Sequence, residues 1–313
     1  MIGFDVGGTT LKAALVADGK ILETLTQPTL AEAEAEATIE NMVSLIEQLK
    51  AKSKTSIQGI GMGMAGLIDA PNGVVVTSPN LPRWQNVNLA QQLRDKVKLP
   101  VSLDNDVRAM ALGELSYGAG RGAKNMLCMT LGTGVGSAII IDGQIYRGAS
   151  LSAGELGHVM VVPQGGRTCG CGNWGCLETV AGTPGILSLA QRFIDRGLCP
   201  TLSQSIQTHA LTPKLIFEAA QAGDPGACEI WQEVGQWIGI ALAGVVNFIN
   251  PERIVIGGGI SQAGDFLFEP LRRSIQRHAF ERPAQAVTVC QAELGNDAGM
   301  IGSAVMAQKG AQS

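Results

Sequence analysis

The stretch that decides the fold is residues 2–26, IGFDVGGTTLKAALVADGKILETLT. Apolar runs over residues 2–5 and 11–16 flank a turn made of glycine and threonine. An Asp-Gly turn then leads into a third apolar-alternating run over residues 20–26. Two hairpins in succession therefore predict an antiparallel, three-stranded start to the chain.

The same order of elements returns in residues 125–146, NMLCMTLGTGVGSAIIIDGQIY. Strands predicted over 126–130, 135–141 and 144–146 are again separated by a Gly/Thr turn and an Asp-Gly turn. The two stretches agree in the order of elements and not residue by residue. An internal duplication of one α/β unit explains this agreement best.

The remainder of the chain predicts helices and short strands that fit such a fold. Apolar residues at helical spacing, with Glu-rich outer positions, indicate an amphipathic helix over 31–52. Further helices are expected over 88–97 (capped by Asn88), 107–116, 183–197, 213–222, 225–248 and 297–308, and further strands over 57–64, 101–103, 254–256 and 287–290. Alternating strands and helices are typical of an α/β protein.

Length and composition narrow the class of protein. The 313 residues suffice for two domains of ordinary size, and 45% apolar against 16% charged residues predicts a sizeable core. With a net charge of −4 and no basic stripe or long apolar span, we expect neither nucleic acid nor a membrane as partner. An odd count of seven cysteines and no signal-peptide pattern predict a cytoplasmic location.

One compact loop carries a candidate metal site. Residues 155–178, ELGHVMVVPQGGRTCGCGNWGCLE, contain six glycines and a proline, so much of the stretch is neither helix nor strand. One imidazole and three thiolates match the closed ligand set of a structural Zn²⁺. The proposed ligands are His158, Cys169, Cys171 and Cys176. A group of reduced thiols or a disulfide is the alternative.

The two Gly/Thr turns suit phosphate, because backbone N–H groups beside glycine reach phosphate oxygens and threonine hydroxyls add donors. Each turn alone is weak evidence, since such turns are usually structural. One turn per repeat favours a functional role. The residues are Gly7, Gly8, Thr9 and Thr10 in the first turn and Gly132, Thr133 and Gly134 in the second. Asp5 suits Mg²⁺, and Lys12 either neutralises phosphate or is a solvated strand residue.

Asp106 follows a predicted strand end and is the candidate general base. A carboxylate there can accept the proton of a substrate hydroxyl as its oxygen attacks the γ-phosphorus. The alternative role is helix N-cap, which we expect of at least one of Asp104 and Asp106. Carboxylates and amides can each bind two sugar hydroxyls. The side chains of this kind, with one histidine, are Asn80, Asn105, Glu155, His158 and Glu178.

Seven motifs occur in a fixed order: DVGGTTLK, SPNLP, LDNDVRAMALGE, LGTGVG, GELGHV, CGCGNWGCLE and IVIGGG. Together they resemble the ROK family (repressors, open reading frames and kinases), and most of all its ATP-dependent members that phosphorylate glucose. The resemblance covers residues 1–310 and implies two actin-like (ribonuclease-H-like) α/β domains with an active cleft between them. We expect a smaller domain over 1–117, joined by a C-terminal helix over 297–313, and a larger domain over 118–296 with the zinc loop.

The resemblance also implies residue roles. Asp106 is expected to be the general base and Asn105 to touch the sugar. Sugar hydroxyls are expected to bind Asn80, Glu155, His158 and Glu178, and the zinc is expected at His158, Cys169, Cys171 and Cys176. The two Gly/Thr turns match the family's phosphate segments, and Gly257, Gly258 and Gly259 match its adenosine segment. We interpret the zinc as a clamp that fixes His158, with Glu155 and Glu178 near it, against the sugar.

Further features narrow the function within the family. ROK repressors carry a helix-turn-helix domain ahead of the first glycine-rich segment, which here starts at residue 5, so we expect a kinase. Members that resemble polyphosphate-dependent glucokinases lack the zinc cluster, so the complete cluster favours ATP. Lys12 stands two positions later than the basic residue of many relatives, which weakens a phosphate role for it.

The expected reaction is transfer of the γ-phosphate of MgATP to the 6-hydroxyl of glucose. Other sugars remain open as substrates, namely N-acetylmannosamine, N-acetylglucosamine, fructose, mannose or allose. A non-catalytic sugar sensor is the alternative from another class of protein. The resemblance also implies a homodimer or a dimer of dimers.

Overall fold

The structure is a computed structural model, and it describes residues 1–310. The last three residues of the predicted C-terminal helix, 311–313, lie outside the described residues. The chain divides into two compact units. The first contains residues 1–124, 138–153 and the C-terminal segment from Ala292, and the second contains residues 125–137 and 154–291. The domain limits given above stay a prediction.

Strands and helices alternate over most of the described chain. The strands are β1 Ile2–Val6, β2 Thr10–Ala17, β3 Lys20–Pro28, β4 Ile60–Met64, β5 Leu67–Asp69, β6 Val74–Thr77, β7 Gln85–Val87, β8 Val101–Asn105, β9 Met126–Leu131, β10 Val135–Ile141, β11 Gln144–Tyr146, β12 Arg253–Gly257 and β13 Thr288–Gln291. The α-helices are α1 Ala35–Lys52, α2 Leu89–Val97, α3 Asp106–Tyr117, α4 Glu178–Ala181, α5 Thr183–Asp195, α6 Pro200–Ser205, α7 Pro213–Gln221, α8 Pro225–Ile249, α9 Asp265–His278, α10 Glu281–Ala286 and α11 Ala298–Gly310.

Two five-stranded sheets share one topology. The first has the order β3-β2-β1-β4-β8 and the second the order β11-β10-β9-β12-β13. In each sheet an antiparallel hairpin (β2–β3 and β10–β11) lies on one side and three parallel strands (β1, β4, β8 and β9, β12, β13) on the other. The matching order confirms the predicted duplication of an α/β unit.

The first sheet is packed closely by the C-terminal helix α11. A Cβ atom added at Gly3 would lie 1.9 Å from the carbonyl oxygen of Met300, and one at Gly61 would lie 1.7 Å from that of Ser303. The Ser303 hydroxyl also donates a hydrogen bond to the Phe4 carbonyl over 2.7 Å. Only glycine therefore permits this approach of a helix to two neighbouring strands.

The structure departs from the sequence predictions at several short elements. The predicted helix start at residue 31 is wrong, because Leu30 adopts a left-handed backbone (φ 54°) and the chain turns before α1 begins at Ala35. The antiparallel sheet β5-β6-β7 and the short helices α4, α6 and α10 were not predicted. These elements have 3–6 residues, too few to show a periodic pattern. Over residues 1–310, none of the helices combines the length and apolar character needed to cross a bilayer.

Candidate active site

The carboxyl ends of three parallel strands bring three predicted site residues of the first unit together: Asp5 for Mg²⁺, Asn105 for the sugar and Asp106 as the base. Asp5 in β1 lies beside Gly63 in β4, which lies beside Asp104 in β8. Parallel strands in register end at the same edge of a sheet. Asn105 ends β8 and Asp106 begins α3 at this edge, which is also where the first Gly/Thr turn leaves β1.

Asn105 caps the helix that carries Asp106. Its Oδ1 accepts hydrogen bonds from the backbone N–H groups of Val107 (2.9 Å) and Arg108 (3.4 Å). The expectation that Asp104 or Asp106 would be the N-cap is therefore wrong. Asp104 cannot serve because it is fully buried and paired with arginine, as described below. Asp106, the first residue of the helix, accepts a 2.9 Å bond from the N–H of Val107.

The environment of Asp106 favours proton acceptance. Burial raises the pKa of Asp106, the negative charge of Asp5 raises it further, and the hydrogen bond from Val107 opposes both. Burial also raises the pKa of Asp5, against the positive charge of Lys12, which lies opposite Asp5 on β2. A carboxylate whose pKa is raised is a stronger base toward a hydroxyl proton.

The first Gly/Thr turn is held by backbone and threonine hydrogen bonds. The N–H of Gly7 donates to the Thr10 carbonyl over 3.1 Å, and the Thr29 hydroxyl donates to the Gly7 carbonyl over 2.7 Å. A Cβ atom added at Gly8 would lie 3.2 Å from the side chain of Asn80. The structure therefore places Asn80, a predicted sugar ligand, directly beside the first Gly/Thr turn.

The second Gly/Thr turn, in the second unit, is held by Thr183 and Glu178. The Thr183 N–H and hydroxyl both donate to the Gly132 carbonyl over 2.9 Å. Glu178 Oε2 accepts a 3.0 Å hydrogen bond from the N–H of Val135, directly after the turn. A Cβ atom added at Gly134 would lie 2.3 Å from the same oxygen. Glu178, predicted only as a sugar ligand, thus also holds this turn.

Glu155 directly precedes a short 3-10 turn that ends at His158, and this turn packs on strand β10. The turn spans Leu156–His158, and the Leu156 N–H donates to the Ser137 hydroxyl over 3.3 Å. A Cβ atom added at Gly157 would lie 2.1 Å from the Val135 carbonyl oxygen. Because Glu178 also contacts Val135, the three predicted sugar ligands of the second unit gather around the start of β10.

The four predicted zinc ligands come together. The ligand atoms of His158, Cys169, Cys171 and Cys176 all lie within 4.8 Å of one another. The Cys169 Sγ to His158 Nδ1 distance is 3.6 Å and the Cys171 to Cys176 Sγ distance is 3.8 Å. Around a tetrahedral Zn²⁺ the ligand atoms lie roughly 3.6–3.8 Å apart. These two distances and the donor set fit a closed, structural zinc site.

The chemistry of the thiols also fits a cation. Burial, together with the neighbouring Cys171 and Cys169, raises the pKa of Cys176 to about 12. A thiolate at this position therefore requires a positive charge beside it, which Zn²⁺ supplies when it displaces the thiol protons. The backbone supports the same arrangement, because the N–H of Cys169 donates to the Asn173 carbonyl over 2.7 Å.

The predicted adenosine segment borders a cavity in the second unit. Gly258 has a left-handed backbone (φ 87°), and a Cβ atom there would lie 2.2 Å from the Leu131 carbonyl oxygen, so glycine is required. The cavity has a volume of about 370 Å³ and is lined by Pro213, Lys214, Phe217, Glu218, Gln221, Trp231, Gly259, Ile260, Gln262 and Ala263. Its size and largely apolar wall suit a planar heterocycle.

The sequence interpretation missed the partners of Asp104. This fully buried carboxylate pairs with Arg108, four residues later, and with Arg147, 43 residues later. Arg108 lies in the first turn of α3, only four residues after Asp104, so closeness in sequence offered a signal. Arg147 lies in an irregular segment after β11, where no pattern indicates a partner.

The fold is that of an α/β protein with two actin-like domains, in which a Gly/Thr turn follows the first strand of each five-stranded sheet. A family model described as "ROK family" matches residues 1–310. The chain therefore belongs to the ROK family.

Named relatives and a solved structure are consistent with this membership. The chain is 40% identical over 306 residues to a glucokinase of Halalkalibacterium halodurans, which covers 96% of this chain and 92% of the relative. It is 38% identical over 310 residues to a glucokinase of Thermotoga maritima, covering 97% and 96% of the two chains. The crystal structure of a ROK family glucokinase from Streptomyces griseus, in complex with glucose and AMPPNP, superposes with a TM-score of 0.81 at 33% identity over 99% of both chains.

Proposed function

We propose that this chain is an ATP-dependent, hexokinase-type kinase that transfers the γ-phosphate of ATP to the 6-hydroxyl of glucose. The observation that carries the proposal is the position of Asp106, a carboxylate with a raised pKa at the sheet edge where the first phosphate turn begins. The glucokinase relatives and the similar glucokinase structure with glucose and AMPPNP support the choice of both substrates.

Asp106 is the proposed general base. Its carboxylate accepts the proton of the glucose 6-hydroxyl while the 6-oxygen forms a bond to the γ-phosphorus of ATP. The bond from the γ-phosphorus to the β,γ-bridging oxygen breaks, and its electron pair leaves with ADP. The products are glucose 6-phosphate, ADP and the proton first held by Asp106.

Side chains of both units are proposed to bind the sugar. In the first unit these are Asn105, next to the base, and Asn80, beside the first turn. In the second unit they are Glu155, His158 and Glu178 around the start of β10. Carboxylate, amide and imidazole groups can each bond to vicinal hydroxyls, which suits a hexose.

The nucleotide is proposed to bind through backbone N–H groups and one cavity. Gly7, Gly8, Thr9 and Thr10 and the second turn, Gly132, Thr133 and Gly134, bind phosphate oxygens. Gly257, Gly258 and Gly259, with the 370 Å³ cavity beside Gly259, bind adenosine. Asp5 is the proposed Mg²⁺ ligand, and when bound the ion neutralises phosphate charge. We propose no phosphate contact for Lys12, whose charge faces Asp5.

The zinc is proposed to be structural, with His158, Cys169, Cys171 and Cys176 as its ligands. His158 faces Cys169 through Nδ1, so Nε2 of the neutral ring remains for a sugar hydroxyl. The zinc supplies no reacting group in this proposal. It fixes the orientation of a sugar-binding side chain.

We extend the proposal to the setting in which the enzyme works. By the family resemblance it is a cytoplasmic homodimer or dimer of dimers. Its substrates are a sugar and ATP, and it requires neither nucleic acid nor a membrane.

The test is a sugar panel assayed for ADP release. Purified protein with MgATP is given glucose, mannose, fructose, allose, N-acetylglucosamine or N-acetylmannosamine, and ADP is measured against a control without sugar. We expect glucose to give the highest kcat/KM and one glucose 6-phosphate per ADP. A higher value for another sugar would replace glucose in the proposal. Sugar binding with no ADP release from any member of the panel would identify a sensor and refute the kinase.

A further inference from the structure

Asp104 is a carboxylate with no exposed surface, directly before the proposed sugar ligand and base. Its Oδ2 accepts hydrogen bonds from Nε and Nη2 of Arg147, over 2.9 and 2.6 Å. Its Oδ1 accepts bonds from Nη1 of Arg108 (3.2 Å) and from the N–H of Asn105 (2.8 Å). Each oxygen therefore has two donors, which is what a buried charge requires.

The two arginines are themselves held by the segment 147–153 of the same unit. Arg108 is 4% exposed, and its Nη2 donates to the carbonyls of Leu151 (2.8 Å) and Ala153 (3.2 Å). The N–H of Ala153 donates to the Arg147 carbonyl over 2.9 Å, which closes the segment on itself. The network thus ties the end of β8 to a loop 43 residues further along the chain.

We propose that Asp104, Arg108 and Arg147 are positioning residues for the phosphoryl transfer. The proposal rests on the proposed function, because it concerns the placement of Asn105 and Asp106. Both project from backbone that directly follows Asp104, and Asn105 is bonded to Asp104 through its own N–H. A displacement of a catalytic group by about 1 Å can lower the rate by about 100-fold.

The geometry of the network indicates that it orients the Asp104 carboxylate and does not only stabilise the fold. A buried ion pair is weak evidence of a stabilising role, since apolar residues of similar volume often serve a core as well. Arg147 donates two bonds to one oxygen of Asp104, and Arg108 donates a bond to the other. These bonds fix the orientation of the carboxylate plane as well as neutralising its charge. Lysine cannot reproduce this fork, because its ammonium is a point charge.

The test compares Arg147→Lys, Arg147→Gln and wild type in the sugar-dependent ADP assay, with kcat and both KM values measured. We expect Arg147→Gln to lower kcat about 100-fold and to raise the KM for glucose. Arg147→Lys keeps the charge and is expected to lose only about tenfold. The KM for ATP is expected to change less than the KM for glucose in both variants, because the proposed adenosine segment and second phosphate turn belong to the second unit. Arg273→Gln, which breaks an exposed ion pair on α9, is the control and behaves as wild type.

A second measurement separates positioning from a loss of folded protein. Thermal melting gives the folded fraction, and a purely structural role would lower kcat in proportion to that fraction without changing either KM. A fall in kcat that matches the folded fraction, with both KM values unchanged, would overturn the proposal. Wild-type kcat together with a wild-type KM for glucose in both Arg147 variants would also overturn it.

A double variant tests whether Asp104 and Arg147 act together. Asp104→Asn/Arg147→Gln is expected to lose no more activity than the less active of the two single variants, because both substitutions break the same network. Full additivity would contradict the network. Absence of sugar-dependent ADP release in the wild type would instead refute the proposed function and the inference with it.

Discussion

The two sheets have the same strand order, but the carboxyl edges of their parallel strands carry different chemistry. In the first sheet, β1 and β8 deliver Asp5, Asn105 and Asp106. In the second sheet, the corresponding β9 runs directly into Gly132-Thr133-Gly134, and β12 into Gly258-Gly259. Both copies therefore follow their first strand with a Gly/Thr turn, but the first edge adds carboxylates and the second adds further glycines. Topology was retained while the chemistry of the edge diverged.

One small device is common to both copies. In each, a threonine hydroxyl donates to the carbonyl of the first glycine of the turn, Thr29 to Gly7 over 2.7 Å and Thr183 to Gly132 over 2.9 Å. The threonines lie 22 and 51 residues after their glycines. The turns thus keep the same support although their neighbours differ. The contrast between the edges can be tested separately from this shared support.

The largest effect is expected from Asp106→Asn, which removes the proposed base of the first edge. We expect kcat to fall about 100-fold or more, on the scale of a lost general base. The KM for ATP should change little, since the proposed adenosine segment belongs to the second unit. Steady-state kinetics measure both parameters. Asp95→Asn, which changes an exposed carboxylate on α2, is the matched control. Near-normal turnover by Asp106→Asn would show that Asp106 is not the general base.

A smaller but specific effect is expected from Cys171→Ser, which removes one proposed zinc ligand of the second unit. Zinc content and glucose affinity should fall together, the affinity by roughly tenfold, on the scale of altered metal-ligand support. Metal analysis and isothermal titration with glucose measure the two quantities. Cys228→Ser, a half-buried cysteine outside the cluster, should leave both at wild-type values. Loss of zinc with unchanged glucose binding would show that the metal does not fix His158.

The raised pKa of Asp106 predicts a pH dependence of catalysis. The base acts only when deprotonated, so kcat should fall tenfold per pH unit below the pKa of Asp106, which burial raises from its ordinary value. The same shift affects stability. A group whose pKa is higher in the folded than in the unfolded state stabilises the fold at low pH. This stabilisation is lost as the pH rises through the folded-state pKa. Asp106→Asn should therefore raise Tm at neutral pH and not in acid. An unchanged or lower Tm at neutral pH would contradict the shift.

The smallest effects are expected from Thr29→Val and Thr183→Val, which remove the shared hydroxyl support. Loss of one neutral hydrogen bond costs about 1 kcal/mol, or roughly fivefold in affinity. We expect a rise of that size in the KM for ATP in both variants. Thr29→Val should also lower kcat, because the first turn lies at the edge that carries Asp106. Equal kinetic changes in the two variants would weaken the distinction between the edges.

Much of the scaffold followed from local patterns. Alternating apolar runs with Gly/Thr and Asp-Gly turns are short-range signals, and they gave both three-stranded hairpin stretches and the duplication. The cluster of His158 with three cysteines was predictable because these four residues within 19 positions have few other uses in a glycine-rich loop. The Asn88 cap of α2 was likewise read from one residue type at a helix start.

Other features depended on contacts between distant parts of the chain. Asn and Asp are equally good N-caps, and the choice of Asn105 followed from the burial of Asp104 with two arginines. Arg147 gave no local signal, because its partner is 43 residues away. The hydrogen bond from the Val135 N–H to Glu178 could not be predicted either, since it joins the start of a strand to the start of a helix 43 residues later. Tertiary packing decided each of these.

The most direct test of the account measures kcat, KM for glucose and KM for ATP in Asp106→Asn and Thr183→Val side by side. We predict that Asp106→Asn loses kcat with the KM for ATP retained, whereas Thr183→Val raises the KM for ATP with the KM for glucose retained. Changes in the same parameter for both variants would contradict a division between a catalytic carboxylate at the first edge and a nucleotide-binding turn at the second.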